Sequence, residues 1–241
     1  DAAYGFVGLA NNFVNYASIL TIVINSMASR FVTMELEKKN IESVNKYYST
    51  VFFMNIILSS IIFILSILLI LNITIVLDIP TELVKDVKIT FALAFVNMII
   101  SLFTSVFNIS TFAKNRLDLS AIRTIIGNVI RVILLVILFS MFRAKIYFII
   151  LSSLVMGIYL LISNYNLTKK IAPELEIEKD KFDTSSLKKL AKSGIWNSIN
   201  TLSKTLLTGL DLLITNIFVG ASPMGVLSIA KTVPNSIENL L

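Results

Sequence analysis

Residues 51–77 read VFFMNIILSSIIFILSILLILNITIVL and contain no charged side chain. A helix needs about 20 mostly apolar residues to cross the roughly 30 Å hydrocarbon layer of a bilayer. This segment therefore predicts a membrane span. Apolar runs of similar length, separated by short polar breaks, recur along the whole chain of 241 residues. The predicted fold is all-α, a polytopic transmembrane helical bundle.

Seven such spans are predicted, and they account for most of the chain. Hydrophobic residues make up 56% of the sequence, charged residues make up 15%, and the mean hydropathy is +0.83. These values lie far from those of an average soluble domain. The predicted spans are residues 4–28, 50–77, 86–107, 121–142, 146–164, 195–219 and 224–241.

Missing residue types exclude several kinds of chemistry. The chain has no cysteine and no histidine, which rules out disulfides, thiolates and imidazole bases and removes the usual zinc and haem ligands. We expect no cofactor, no metal and no catalytic residue. The net charge of +6 does not indicate nucleic acid, because the basic residues lie mainly in the breaks between spans, where they meet anionic lipid headgroups.

Basic residues are distributed unequally between alternate breaks. Fourteen lie on one side of the predicted membrane and four on the other. The positive-inside rule makes the first side cytoplasmic. Residue 1 then lies outside the cytoplasm, and we expect at least one span to precede it. The basic side holds Arg30, Lys38, Lys39, Lys46, Lys114, Arg116, Arg123, Lys169, Lys170, Lys179, Lys181, Lys188, Lys189 and Lys192; the other side holds Lys85, Lys88, Arg143 and Lys145.

The first cytoplasmic break has a helical pattern of its own. In residues 34–48, Ile41, Val44 and Tyr48 recur at helical spacing while charged residues occupy other positions. This pattern predicts either an amphipathic helix lying on the membrane surface or a solvated linker with some helicity.

The longest break divides the chain into two groups of spans. It carries mixed charge, Pro173 and a candidate helix N-cap at Asp183, which are signals of a helix end, a loop and a new helix start. We predict a first transmembrane lobe in residues 1–166, a cytoplasmic linker in residues 167–192, and the first two spans of a second lobe in residues 193–241.

The first and last spans resemble each other. Residues 4–15 align with residues 224–235, with identities at Gly5/Gly225, Ala10/Ala230 and Asn15/Asn235. Six spans separate the two copies, which therefore have the same orientation. Parallel repeats related by an axis along the membrane normal are one of the ways in which transporters are built.

Five charged residues lie inside the predicted spans away from the ends that carry Asp86, Lys88 and Arg123. Each costs about 2.5–3.5 kcal/mol unless it finds a cavity, a partner or a route to the interface. Arg131 lies about ten residues into its span, where a water-filled cavity is favoured over a headgroup anchor. Lys204 and Asp211 are seven residues apart on one span, and Lys231 and Glu238 repeat that spacing on the next. Each pair either lines a polar cavity or holds helices together.

Three stretches resemble one known family. They are AYGFVGLANNFVNYASILTIVINSMASRF (3–31), TFAKNRLDLSAIR (111–123) and SGIWNSINTLSKTLLTGLDLLITNIFVGASPMGVLSIAKTVP (193–234). The chain resembles bacterial lipid-linked oligosaccharide flippases for O-antigen and capsular polysaccharide. These belong to the MATE-like exporter superfamily, with multidrug extruders and peptidoglycan-precursor flippases. The resemblance implies a two-lobe transporter, of which this chain would run from the second span into the eighth.

The resemblance implies a transporter in the bacterial inner (plasma) membrane and not an enzyme. It would flip undecaprenyl-pyrophosphate-linked oligosaccharides to the outer leaflet. Its partners would be that lipid-linked substrate, membrane lipids and other polysaccharide-assembly membrane proteins, and no nucleic acid. Basic side chains would neutralise the phosphates, and amides would bind the sugars. The candidate substrate-binding residues are Arg131, Lys204, Lys231, Asn12, Asn197 and Asn200, and the ion-coupling candidates are Asp211 and Glu238.

Two other functions compete with this one. An ion-coupled drug or cation antiporter would be lined by acids and aromatic residues, whereas here basic residues outnumber acids inside the spans. A membrane-embedded polymerase or glycosyltransferase that uses nucleotide sugars would need closely spaced acids for a metal, and the sequence has no Asp-x-Asp.

Overall fold

A computed structural model describes residues 2–238, apart from the side chains of residues 208, 233 and 235–238. The described residues form helices and no strand, which confirms the all-α prediction. A 3₁₀ turn covers Lys179–Lys181. The helices are α1 (Ala2–Glu37), α2 (Ile41–Leu71), α3 (Ile73–Val76), α4 (Val84–Ala113), α5 (Leu117–Met141), α6 (Tyr147–Ile171), α7 (Thr184–Phe218) and α8 (Ala221–Glu238).

Five of the described helices are long and apolar enough to cross a membrane. They are α1, α2, α4, α5 and α6. The helices α7 and α8 cover the last two predicted spans but are less apolar. Their membrane crossing stays a prediction. The outward faces of α2 and α5 carry large exposed side chains such as Ile64, Leu68 and Val136, as expected where a helix meets lipid.

Helix α1 is the central element of the bundle. It packs against α2 and α4 on one side and against α7 and α8 on the other, while α5 packs on α6 and α6 on α4. Two apolar clusters lie along it. The cluster near its start includes Phe6, Phe91 and Met224, and the cluster near its end includes Val32 and Leu190.

The lysine-rich breaks meet at one end of the bundle. The segment after α6 folds over the start of α2, where the Glu176 N–H donates to Asn45 Oδ1 (3.1 Å) and the Glu178 N–H donates to Ser49 Oγ (3.0 Å). Lys114, in the break after α4, forms an ion pair with Glu174 in the same segment. The helices therefore alternate in direction as the spans predict, and the three basic breaks share one face.

The weakly basic breaks meet at the opposite end. Asp78 and Asn216 exchange two hydrogen bonds, with the Asp78 N–H donating to Asn216 Oδ1 (3.0 Å) and Asn216 Nδ2 donating to the Asp78 carbonyl (3.1 Å). Lys145 pairs with Asp86 at 2.9 Å. The positive-inside rule assigns this end to the outer surface.

The predicted surface helix at residues 34–48 is wrong. Helix α1 continues to Glu37, the chain turns at Lys39 with a left-handed φ of 58°, and α2 begins at Ile41 with Asn40 as its N-cap. Asn40 Oδ1 accepts the Ser43 N–H at 3.2 Å. Val44 and Tyr48 of the predicted apolar face are buried in the bundle and do not lie on lipid, whereas Ile41 is exposed. Periodicity alone does not distinguish these two ways of burying an apolar face.

The irregular segment between α6 and α7 is residues 172–183, because both helices extend into the predicted linker. Asp183 caps α7 and accepts from the Ser185 and Ser186 backbone N–H groups, as predicted. Hydrogen bonds from the Ser185 and Ser186 hydroxyls, together with those N–H bonds, hold the pKa of the Asp183 carboxyl below its usual value. The division into two lobes stays a prediction.

The two copies of the repeat pack against each other. A Cβ added to Gly5 would lie 2.9 Å from the Gly225 Cα, and one added to Gly8 would lie 2.5 Å from Ser228 Oγ. Gly5/Gly225 and Gly8/Ser228 are the pairs that the alignment makes equivalent. Moving along α1 from Gly5 to Gly8, the contacted residue on α8 moves from Gly225 to Ser228, so α1 and α8 run parallel. Contact between equivalent positions is what a two-fold axis between two repeats requires.

Cysteine labelling tests this orientation. In intact cells we expect an impermeant thiol reagent to label Arg143→Cys and not Lys181→Cys, because the two positions lie at opposite ends of the bundle. Lys181→Cys should react once the membrane is permeabilised. The native chain has no cysteine to interfere. Labelling of position 181 in sealed cells would reverse the assignment.

Candidate functional site

Arg131 faces a polar cavity inside the bundle. The cavity has a volume of about 290 Å³ and lies between α1, α4, α5 and α6. Arg131 is half-buried and is the fifteenth of the 25 residues of α5. The lining residues are Asn11, Val14, Ala94, Asn97, Met98, Ser101, Arg131, Ile149, Ile150 and Ser153.

Close packing of α5 on α6 positions the arginine. Gly127 is the buried residue of α5, and a Cβ there would lie 3.1 Å from Met156 Cγ on α6. Arg131 follows one turn later and so lies on the same face of the helix. Helices α6 and α4 approach closely at Gly157 of α6, where a Cβ would lie 2.6 Å from Asn97 Oδ1 of α4. Small residues thus bring α5, α6 and α4 together around the cavity.

No carboxylate is among the described residues that line this cavity. Among the described residues the Arg131 guanidinium makes no ion pair and no hydrogen bond. The Ser101 and Ser153 hydroxyls donate to backbone carbonyls of their own helices, Met98 (2.7 Å) and Ile149 (3.1 Å). Hydrogen-bond donors available to a ligand are therefore the guanidinium and the amide side chains of Asn11 and Asn97. This set of donors suits an anion or a sugar.

A second polar cluster lies on the other side of α1, against α7 and α8. Asn12 Nδ2 donates to the Gly209 carbonyl at 3.0 Å, and Lys231 pairs with Asp211 across the two helices. The sequence suggested Lys204 as the partner of Asp211. A spacing of seven residues on a helix is a rise of about 10 Å, so Asp211 pairs across to α8 instead.

Among the described side chains, the remaining predicted site residues on α7 and α8 do not line the Arg131 cavity. Asn200 and Lys204 are exposed on α7, and Asn197 is half-buried. The Glu238 side chain lies outside the described residues. The structure thus brings Asn12, Asp211 and Lys231 to the α7 side of α1, while Arg131 lines a cavity on the opposite side that Lys204 and Lys231 do not line.

Sequence reasoning missed the residues that share the cavity with Arg131. Asn97 and Ser101 lie in α4, Ser153 follows Ser152 in α6, and Asn11 was noted only as part of a polar cluster. Their spacing within α4 carried one signal, since residues four apart share a helix face. Nothing in the sequence indicated which helix that face would meet.

A pair of asparagines, of which Asn55 is buried and Asn25 is half-buried, also escaped the sequence analysis, and its role is structural. Asn25 and Asn55 donate to each other's Oδ1 at 2.9 and 3.0 Å, and Asn55 Nδ2 also donates to the Leu102 carbonyl at 3.3 Å. These bonds join α1, α2 and α4. Every side-chain donor and acceptor of the pair is used internally, which leaves little for a ligand.

Arg123 is held between two helices near the cytoplasmic end. Its Nε donates to Ser163 Oγ (2.7 Å) and its Nη1 to the Leu119 carbonyl (3.1 Å). This arginine is satisfied internally, unlike Arg131. The contrast separates a structural arginine from one that is available to a ligand.

Comparisons with known proteins agree with this membrane architecture. A family model described as "Polysaccharide biosynthesis protein" matches residues 1–241. The chain is 27% identical over 223 residues to "Uncharacterized membrane protein EpsK" of Bacillus subtilis (strain 168). The aligned residues make up 92% of this chain and 44% of that protein. The chain thus spans less than half the length of this relative. No solved structure matches. The chain is a multi-pass membrane protein that belongs to the polysaccharide biosynthesis protein family.

Proposed function

We propose that this chain forms part of a flippase that moves undecaprenyl-pyrophosphate-linked oligosaccharides from the cytoplasmic to the outer leaflet. The family and the Bacillus subtilis relative support a membrane protein of polysaccharide biosynthesis, and the transport activity is our proposal. The observation that carries the finer proposal is Arg131, an arginine at mid-helix that faces a cavity without a carboxylate.

The chemistry of the cavity suits a phosphate-bearing sugar lipid. Moving a pyrophosphate through hydrocarbon exposes its charge to a medium that cannot solvate it. A guanidinium forms bidentate hydrogen bonds with phosphate oxygens. Asn11 and Asn97 add neutral donors and acceptors that suit sugar hydroxyls. A cavity of about 290 Å³ holds only part of such a headgroup, so we propose that the remainder of the protein completes the passage.

The second polar cluster has its own place in the proposal. Asn12, Asn197 and Asn200, together with Lys204 and Lys231, remain candidate contacts for the headgroup on the α7 side of α1. Asp211 and Glu238 remain the ion-coupling candidates. The ion pair of Asp211 with Lys231 supports a role in which charge at this position changes the packing of α7 on α8. Other membrane proteins of polysaccharide assembly are the proposed partners.

Reconstitution of the full-length protein tests this function. We expect proteoliposomes to expose a fluorescent lipid-linked oligosaccharide to an external glycosidase faster than protein-free liposomes do. The same vesicles should not export ethidium in response to a proton or sodium gradient. Export of ethidium without headgroup translocation would support the cation antiporter instead. Cleavage or elongation of the glycan by the purified protein would show that it is an enzyme.

A further inference from the structure

A second cavity lies at the cytoplasmic end of the bundle, away from the Arg131 cavity. Its volume is about 200 Å³. The segment after α6 forms one wall with Leu175 and Ile177, and the ends of α2, α4 and α6 form the others. The hydrogen bonds of Glu176 and Glu178 to α2 hold this wall in place. The cavity is therefore built by tertiary contacts and is not a gap between loose loops.

The polar groups that face this cavity are cationic or neutral. Lys169 lines it, and its Nζ lies 6.0 Å from the centre of the Tyr165 ring. Lys169 forms no ion pair with a described residue, and no carboxylate is among the lining residues. The Thr168 hydroxyl is already committed, because it donates to the Phe107 carbonyl at 2.7 Å. The ammonium is thus the available charge of the cavity.

A buried hydroxyl without a partner supplies the second observation. Tyr48 lines the cavity and is 1% exposed, and its hydroxyl makes no hydrogen bond with any described residue. A buried hydroxyl without a partner costs about 1–3 kcal/mol, so such groups are normally satisfied by a ligand or by ordered water. Tyr48 and Lys169 line the same cavity, which makes an anion with several acceptor oxygens the fitting occupant.

The position of the cavity identifies the kind of anion. Lys169 lies in the last turn of α6, at the end of the bundle that the positive-inside rule assigns to the cytoplasm. Basic pockets between membrane helices on that side take lipid headgroups. The apolar wall of Phe107, Leu175 and Ile177 would lie beside the glycerol or the first carbons of a chain. We infer that Tyr48, Tyr165 and Lys169 form a site for the phosphate group of a lipid in the cytoplasmic leaflet.

Two lipids supply this chemistry, a membrane phospholipid and a polyprenyl pyrophosphate. Native mass spectrometry of the intact protein would measure the retention of phosphatidylglycerol, undecaprenyl pyrophosphate, zwitterionic phosphatidylcholine and inorganic phosphate. We expect retention of at least one of the two anionic lipids above that of phosphatidylcholine, whose choline cation would oppose the Lys169 ammonium. Preference for phosphatidylglycerol identifies a structural lipid, and preference for undecaprenyl pyrophosphate identifies a substrate-loading site. Binding of inorganic phosphate alone would overturn the inference.

Matched variants test the residues. Lys169→Gln should reduce retention of the preferred lipid about tenfold or more, and Tyr48→Phe should reduce it several-fold. The control is Lys170→Gln, since Lys170 is exposed and does not line the cavity. Tyr48→Phe removes a hydroxyl without a protein partner, so the lipid-free Tm should stay the same or rise. Lipid retention by Lys169→Gln and Tyr48→Phe equal to that of the unsubstituted protein would contradict the site, and so would a loss in Lys170→Gln as large as the loss in Lys169→Gln.

Discussion

Arg131→Ala is expected to reduce glycan export by about 10- to 100-fold, the loss that follows from removing a charged hydrogen-bond donor worth about 1.5–3 kcal/mol. The variant should insert into the membrane at the normal level, because it removes a costly charge from mid-helix and breaks no ion pair or hydrogen bond among the described residues. Arg131→Lys should retain part of the export, since it keeps the charge and loses the bidentate geometry.

The measurement is surface glycan and membrane-protein level together, in a strain that lacks its own copy of the transporter. Arg143→Ala is the matched control, because Arg143 is an exposed arginine in the break between α5 and α6. Its loss should leave export unchanged. Normal export by Arg131→Ala would show that the cavity does not bind the headgroup, and a low protein level would show instead that Arg131 supports the fold.

Gly194→Ala is expected to give the largest loss of stability among alanine substitutions of the glycines that the structure describes. A Cβ at residue 194 on α7 would lie 1.9 Å from the Val23 carbonyl oxygen and 2.7 Å from its carbonyl carbon on α1. Backbone atoms cannot move aside as a side chain does, so α1 and α7 would have to separate. Forcing extra volume into a packed contact costs about 1–3 kcal/mol or more, and α1 is the helix on which the bundle is built.

Thermal unfolding of the detergent-purified protein measures this effect. We expect the Tm of Gly194→Ala to fall by about 4 °C or more, at about 2–4 °C per kcal/mol for a chain of this size. Gly127→Ala is the control. Its nearest contact is Met156 Cγ at 3.1 Å, a flexible side chain, and the gain in helix propensity of about 1 kcal/mol applies equally to both variants. Equal Tm values for the two variants would mean that α1 and α7 are not in direct backbone contact.

The membrane class, the helices and the alternation of their directions were readable from the sequence. Each of these properties can be counted within one continuous stretch of sequence. The length of an apolar run such as residues 51–77 predicts a span, and the number of basic residues in a break predicts its side of the membrane. The repeat of residues 4–15 in residues 224–235 stays a prediction, which the close approach of Gly5 to Gly225 supports. Asp183 was recognised as a cap because capping is a contact between near neighbours in the chain.

Only the tertiary structure decided which polar residues meet. Asp211 pairs with Lys231 and not with Lys204, Arg131 shares a cavity with Asn11 and Asn97, and the amphipathic residues Val44 and Tyr48 turn into the bundle. A helical period shows which side chains share a face but not which helix that face will contact. That choice follows from the close approach of helices at small residues such as Gly127, Gly157 and Gly194, and it depends on contacts between residues that lie far apart in the chain.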